Sequence, residues 1–169
     1  ELHGGTLAAA TAGQPTINFG TIEINPASGN QDEEFIQLLN PNSIAVDISD
    51  WRLSGAIEYT FLGGTVLPPN GAIYICPKTA AFRARAVSPK GGEGLLVQGG
   101  YKGHLSNFAE SLTLIDSSGA TNNTTTYESQ PTDAQRYLVV SEIMYHPSGD
   151  GLAEFIELLN ISSSVTLDL

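Results

Sequence analysis

Cysteine is almost missing from this chain, since Cys76 is the only one in 169 residues. One thiol can form no intrachain disulfide and no thiolate metal cluster, so an apolar core must carry the fold. Basic residues are scarce too, with 7 Lys and Arg against 18 Asp and Glu and a formal net charge of −11. That balance repels phosphate backbones and anionic lipid surfaces, which argues against nucleic-acid and membrane-surface partners. No apolar run approaches the roughly 20 residues of a membrane-spanning helix, and Glu1-Leu2-His3-Gly4-Gly5 lacks the basic and apolar regions of a signal peptide. The expectation is either a cytoplasmic chain or one whose targeting segment lies upstream of Glu1. No heptad pattern is present, which excludes a coiled-coil rod.

The few basic residues are also unevenly placed. Residues 1–51 carry seven acids and no Lys or Arg, residues 137–169 carry five acids and again none, and all seven basic residues lie within 52–136. The two acidic ends turn out to repeat each other. Gly20-Thr21-Ile22-Glu23-Ile24-Asn25-Pro26 aligns with Ser141-Glu142-Ile143-Met144-Tyr145-His146-Pro147, and Glu34-Phe35-Ile36-Gln37-Leu38-Leu39-Asn40 aligns with Glu154-Phe155-Ile156-Glu157-Leu158-Leu159-Asn160. The second pair differs at one position only. Val46-Asp47-Ile48 against Val165-Thr166-Leu167 extends the match, and the length differences fall in the connecting loops, where they are tolerated. A spacing of about 120 residues is a domain-sized repeat, not a solenoid period. The chain therefore reads as an N-terminal segment (1–15), one complete unit (16–128), a linker (129–138) and the opening strands of a second unit (139–169).

Between the repeats the apolar pattern has period two. Ile57-Glu58-Tyr59-Thr60-Phe61 and Ser111-Leu112-Thr113-Leu114 each place their apolar residues on one face, as half-buried strands do. Pro68-Pro69-Asn70-Gly71 and Asp116-Ser117-Ser118-Gly119 supply turn chemistry at strand ends. The one helical stretch runs from Thr79 to Val87, with Thr79 placed to cap and Phe82 and Ala86 on one face. About seven short strands without a βα alternation predict an all-β chain, an immunoglobulin-like antiparallel β-sandwich. Phe35, Leu38, Trp51, Tyr59, Phe61, Ile73, Leu112 and Leu114 are its expected inter-sheet core.

Several segments resemble the lamin tail domain family, also called the intermediate-filament tail domain. They are Phe35-Ile36-Gln37-Leu38-Leu39-Asn40, Val46-Asp47-Ile48-Ser49-Asp50-Trp51-Arg52-Leu53, Tyr59-Thr60-Phe61, and Thr65-Val66-Leu67-Pro68-Pro69-Asn70-Gly71. Tyr101-Lys102-Gly103-His104-Leu105-Ser106-Asn107 and Glu110-Ser111-Leu112-Thr113-Leu114 resemble the family's later half. Ser141-Glu142-Ile143-Met144-Tyr145-His146-Pro147 resembles the start of a second, bacterial-type copy. The resemblance implies an immunoglobulin-like sandwich without catalysis. It also implies an accessory place in a large secreted or cell-surface bacterial protein, often beside a nuclease, a phosphatase or a spore-coat-protein-H-like kinase.

For metal binding, the candidates are Asp32, Glu33 and Glu34, with Asp150 and Glu154 at the matching place in the second copy. Hard oxygen ligands recurring there make calcium the cation to consider, although the run lacks the Asp-x-Asp-x-Asp-Gly spacing and also suits a solvated acidic loop. His3, His104 and His146 have no zinc spacing. No Gly-x-Ser-x-Gly elbow is present, and Ser106 near His104 lacks an acid partner. Lys90-Gly91-Gly92-Glu93-Gly94 lacks the Gly-Lys-Ser/Thr ending of a phosphate loop, so it reads as a plain loop. Cys76 reads as a small core residue, and Trp51 as strand-end packing that can alternatively serve a sugar.

These readings predict no enzyme, no catalytic residue and no bound cofactor. The expected function is an interaction or spacing module, extracellular or at the cell surface, with a protein or a cell-surface glycan as partner. A calcium-assisted carbohydrate-binding module is the alternative, as is a domain that positions a neighbouring enzyme. Because Phe155, Ile156, Leu158, Leu159, Val165 and Leu167 are too apolar to lie free, the second-copy strands are expected to pair with sheet edges of the complete unit or to exchange into a homodimer.

Overall fold

The computed structural model describes residues 15–147 and 154–168, so His3 and Asp150 lie outside the described residues. The chain divides into two compact units, residues 1–128 and 129–169.

In the first unit, β1 (Asn18–Glu23), β2 (Phe35–Leu39), β7 (Ala72–Cys76) and β8 (Leu96–Gly99) form one sheet in that order. A second sheet has the order β11 (Thr121–Thr126), β10 (Ser111–Ile115), β4 (Arg52–Gly55), β5 (Ile57–Thr60) and β9 (Lys102–Gly103). The two-residue strands β3 (Val46–Asp47) and β6 (Val66–Leu67) pair beside them. Every pairing is antiparallel except β7 with β8. That parallel pair needs a crossover, and helix α1 (Thr79–Ala84) with the loop after it supplies one. The architecture is the expected immunoglobulin-like β-sandwich.

Alternation decides what each strand buries. Ile36 and Leu38 of β2 and Ile73 and Ile75 of β7 meet Leu53, Ile57, Leu112 and Leu114 of the second sheet in one apolar cluster. Trp51 and Phe61 close it at one end, and the Phe61 N–H donates to the Trp51 carbonyl at 2.9 Å. Tyr59 is half-buried against this cluster, its ring edge-on to Phe61 at 5.3 Å. Phe35 departs from expectation. As an odd-numbered neighbour of Ile36 it points to the opposite face of the sheet, into a second cluster with Cys76 and Phe82 under α1. Its ring lies 5.6 Å from those of both Tyr74 and Phe82, edge-on. The helix is also shorter than expected: Lys78 stands at its N-cap with no side-chain cap bond, and Ala86 is exposed. Burial of Phe82, not capping, holds α1 in place.

The expected turns form as their residues dictate. Gly71 N–H donates to the Pro68 carbonyl at 2.9 Å, with Asn70 at a φ of 55° that suits its short polar side chain. Asp116 Oδ1 accepts from the Ser118 and Ala120 amides at 2.8 and 3.0 Å, closing the turn between β10 and β11. Between β4 and β5, Gly55 has a φ of 117° and faces the Ser111 carbonyl so closely that any Cβ would strike it.

The second unit is a short helix α2 (Asp133–Tyr137) followed by the hairpin strands β12 (Leu138–Met144) and β13 (Phe155–Asn160). Thr132 and Gln135 form a capping box at the start of α2. The two strands expected to seek a foreign sheet edge pair with each other, as a sheet of two. Their register repeats that of β1 and β2. Ile22↔Ile36 becomes Ile143↔Ile156, Phe19↔Leu38 becomes Val140↔Leu158, and a bulge interrupts the first strand at the same place.

Truncation of Phe61 to Ala should cost about 3–5 kcal/mol, the range for a fully buried phenylalanine. Denaturant unfolding of the two chains measures this directly, and a change of a few tenths would mean that the Phe61 side chain lies outside the core.

Candidate functional site

The acidic turn before β2 was the leading candidate for a ligand site, and its three carboxylates diverge. Asn30 accepts from the Asp32 amide at 3.1 Å and starts a 3-10 turn, Gln31–Glu33, that points the side chains in different directions. Asp32 reaches outward to Lys78, at 2.7 Å. Glu33 is half-exposed, and its carbonyl accepts from Arg85 Nη1 at 2.6 Å. Glu34 is buried inside the unit. Among the described residues no three His, Cys, Asp or Glu side chains converge on one point. Glu154, the counterpart of Glu34 in the second unit, is exposed.

What the turn builds instead is an internal anchor. The Tyr101 hydroxyl donates to Glu34 Oε1 in a short hydrogen bond, and the Leu105 amide donates to the same oxygen at 3.1 Å. Gln31, with its amide nitrogen turned inward, donates to Glu34 Oε2 and to the Ile24 carbonyl, each at 3.3 Å. Burial pushes the Glu34 carboxyl above the usual carboxylate range, while the Tyr101 and Leu105 bonds pull it back. Burial and the Glu34 partner drive the Tyr101 hydroxyl far above its ordinary range, so it stays a donor. A parallel arrangement lies nearby, where Tyr127 donates to Glu110 Oε2 at 2.9 Å and the Ser106 amide donates to the same oxygen at 3.1 Å.

Arg85 is a buried cation that sequence reasoning missed. Its guanidinium lies 5.1 Å from the centre of the Phe35 ring and 3.6 Å from Glu23, and its Nε has no hydrogen-bond partner. The ring face and the Glu33 carbonyl offset the lost hydration. Beside it, on the outer face of the first sheet, Thr21, Glu23, Phe35, Gln37, Tyr74, Ser88 and Pro89 line an open cleft of about 250 Å³. Gln37 Nε2 donates to the Tyr74 hydroxyl at 2.9 Å, and Gln37 Oε1 accepts from the Thr21 amide at 3.1 Å. The signal for this cleft was present in the alternation, because Phe35 and Gln37 share the face opposite Ile36 and Leu38. No comparable signal marks Arg85, which follows the helix in an irregular loop.

The remaining candidates have structural surroundings. Cys76 is buried and accompanies Phe35 and Phe82, and burial pushes its thiol up to about 11, so it is no thiolate at neutral pH. His104 and His146 are exposed, and the Ser106 hydroxyl accepts from the Phe108 amide at 3.1 Å, within its own turn. Trp51 is buried in the core, so it offers no ring to a sugar. In the loop 90–94, Glu93 accepts from Ser88 Oγ and the Lys90 amide at 3.1 and 3.2 Å, and Gly91 N–H donates to the Arg83 carbonyl at 3.0 Å. Its amides hold the loop together instead of presenting a cradle. Among the described residues no helix is long and apolar enough to cross a membrane.

Glu34→Gln tests the anchor through pH. An acid whose folded pKa is raised stabilises the fold most below its unfolded value of 4.5, and that contribution is lost as pH rises through the folded value. Glutamine does not titrate. The stability of the unsubstituted chain minus that of Glu34→Gln should therefore be greater near pH 4 than at pH 7, as read by urea unfolding at both. A difference that grows with pH would show that the hydrogen bonds outweigh burial.

The model of the Lamin Tail Domain family matches residues 10–129, a span that holds the acidic turn, the anchor and the cleft. No curated protein matches the chain.

Proposed function

The chain belongs to the lamin tail domain family, and from that premise we propose that it is a non-catalytic interaction or spacing module of a larger secreted or cell-surface protein. The observation that carries the reading is the commitment of its reactive groups to the scaffold. Cys76 is a buried thiol, Glu34 and Tyr101 bond each other, and Ser106 serves its own turn. Catalysis needs a nucleophile, a base and an orienting group within mutual reach beside an accessible cleft. The outer-face cleft offers Glu23 and the Tyr74 hydroxyl, with Gln37 bound to that hydroxyl and no histidine among its lining residues.

One feature favours a second reading, a carbohydrate-binding module. The cleft combines the half-buried ring of Tyr74 with the amide, carboxylate and hydroxyls of Gln37, Glu23, Thr21 and Ser88, groups that match a sugar's mixture of apolar faces and hydroxyls. Calcium assistance would draw on the nearby Asp32 and Glu33, once Asp32 is freed from Lys78.

The purified chain should show no turnover of phosphodiester, phosphomonoester, ester or glycoside substrates and no phosphoryl transfer from ATP. Turnover abolished by a single Asp, Ser or His substitution would overturn the module reading. A glycan array run with and without chelator tests the second reading. Binding that Gln37→Ala removes supports a sugar site in the cleft, chelator sensitivity adds the cation, and an empty array excludes it.

A further inference from the structure

Which groups of the outer-face cleft stand open to a ligand follows from the bonds they already make. Gln37 is committed on both sides, since its Oε1 accepts from the Thr21 amide and its Nε2 donates to the Tyr74 hydroxyl, at 3.1 and 2.9 Å. Ser88 Oγ donates to Glu93 Oε2 at 3.1 Å. Glu23 is different. Its carboxylate accepts no hydrogen bond among the described residues, and its approach to Arg85 Nη2, at 3.6 Å, is too long to be one. The Tyr74 hydroxyl accepts from Gln37, but its own proton has no acceptor among the described residues. Two carboxylate oxygens and one O–H, all on residues that line the cleft, are therefore left without a hydrogen-bond partner there.

The sheet holds these groups in fixed places. Glu23 of β1 stands opposite Phe35 of β2, and Gln37, two residues on, stands opposite Tyr74 of β7, so the carboxylate and the hydroxyl come from the two strands that flank β2. The Tyr74 ring is half-buried, edge-on to Phe35 at 5.6 Å and tilted against Phe82 at 5.5 Å. Arg85 sets the local charge. Its side chain is 2% exposed and its Nη1 is held by the Glu33 carbonyl, so it stays beneath the cleft and balances the charge of Glu23. A carboxylate with a fixed cation behind it has no net attraction for an ammonium group, and an arriving anion meets the carboxylate first. A neutral, donor-rich ligand is what remains. Two adjacent hydroxyls of a sugar ring supply paired O–H donors for the two oxygens, and the ring's apolar face suits a tyrosine. At about 250 Å³ the cleft is smaller than the ~300–1,000 Å³ of clefts that enclose drug-sized ligands, which limits the occupant to one ring.

We propose that the cleft is a cation-independent site for a single neutral sugar residue. Glu23 accepts from two vicinal hydroxyls, the Tyr74 hydroxyl donates to a third oxygen, and the Tyr74 ring packs on the sugar's apolar face. The inference deepens the carbohydrate reading and rests on it. Calcium has no part in the binding, because Asp32 is held by Lys78 at 2.7 Å and Glu23 takes the diol directly. Acidic sugars are turned away by Glu23, and amino sugars gain nothing over neutral ones. One ring held by three bonds in an open cleft exchanges fast and binds in the millimolar range.

NMR of the full chain tests this at the residues themselves. The methyl glycosides of glucose, galactose and mannose are each added to about 50 mM with a chelator present, and at least one should shift the Gln37 side-chain amide and the Tyr74 ring signals in a saturable titration. Glucuronate should bind more weakly than the best of the three, and glucosamine no better. Glu23→Gln, which removes the paired acceptors at constant size, should weaken binding about tenfold, and Tyr74→Phe, which keeps the ring and loses the hydroxyl, about threefold. Should Glu23→Gln unfold for want of a partner to Arg85, Tyr74→Phe carries the test alone. No shift at Gln37 and Tyr74 with any of the three glycosides overturns the inference, and with an empty glycan array it ends the carbohydrate reading as well. Binding that appears only when calcium replaces the chelator, glucuronate that binds as well as the best glycoside, glucosamine that binds better, or affinity unchanged by either variant overturns the inference and leaves the carbohydrate reading standing.

Discussion

The first unit depends on how the Glu34 carboxylate is satisfied away from water. It stands immediately before β2 and accepts from Tyr101 and Leu105, residues that flank β9, the strand by which the chain enters the second sheet after leaving the first at β8. One side chain therefore ties the opening of one sheet to the chain that crosses between sheets. Hydrogen bonds to a charged group contribute about 1.5–3 kcal/mol each, and removing a partner leaves a buried charge uncompensated. The neighbouring Arg85 does a related task on the outer face, where its bond to the Glu33 carbonyl fixes the backbone that delivers Glu34 inward. The acidic turn that looks like a cation site is thus divided between the surface and the interior.

Much of this fold was legible in the residues. Period-two alternation placed Leu38, Ile73, Leu112 and Leu114 in the inter-sheet core, where they lie. The parity of Phe35 was readable as well, since it neighbours Ile36, but a second apolar cluster outside the sandwich had no separate signature. Glu34 was harder to read, because an acid in a run of three looks like a solvated loop and only long-range partners 67 and 71 residues away bury it. A hint existed in the repeat, where Glu34 and Glu154 are kept while Thr21 and Glu142 differ. Arg85 gave no hint, since its burial depends on where α1 docks.

The comparison of the two hairpins separates local from distant causes. β12 and β13 adopt the register of β1 and β2, with the same bulge and the same asparagine turn, without the tertiary cover that β1 and β2 enjoy. Register is therefore set by short-range chemistry: turn-forming asparagine, the apolar alternation, and the bulge at Gly20 or Ser141. Burial is not local, because identical side chains are hidden in one unit and open in the other. The exchange of Gly20 and Gln37 for Ser141 and Glu157 follows the same logic. A Cβ at Gly20 would meet the Gln37 side chain, while in the second hairpin the serine hydroxyl bonds the glutamate instead.

The way the first unit fastens the entry of β1 to β11 has a mechanical consequence. Asn122 Oδ1 accepts from Ile17 N–H, Asn122 Nδ2 donates to the Pro15 carbonyl, and Asn123 Nδ2 donates to the Ile17 carbonyl, each at 2.9–3.1 Å. In the folded unit the entry of β1 thus lies against the start of β11. Tension applied through its ends loads these three asparagine clasps first. Once they give, β1 can be stripped from the sheet margin, paying out slack one ladder bond at a time while the inner strands stay packed.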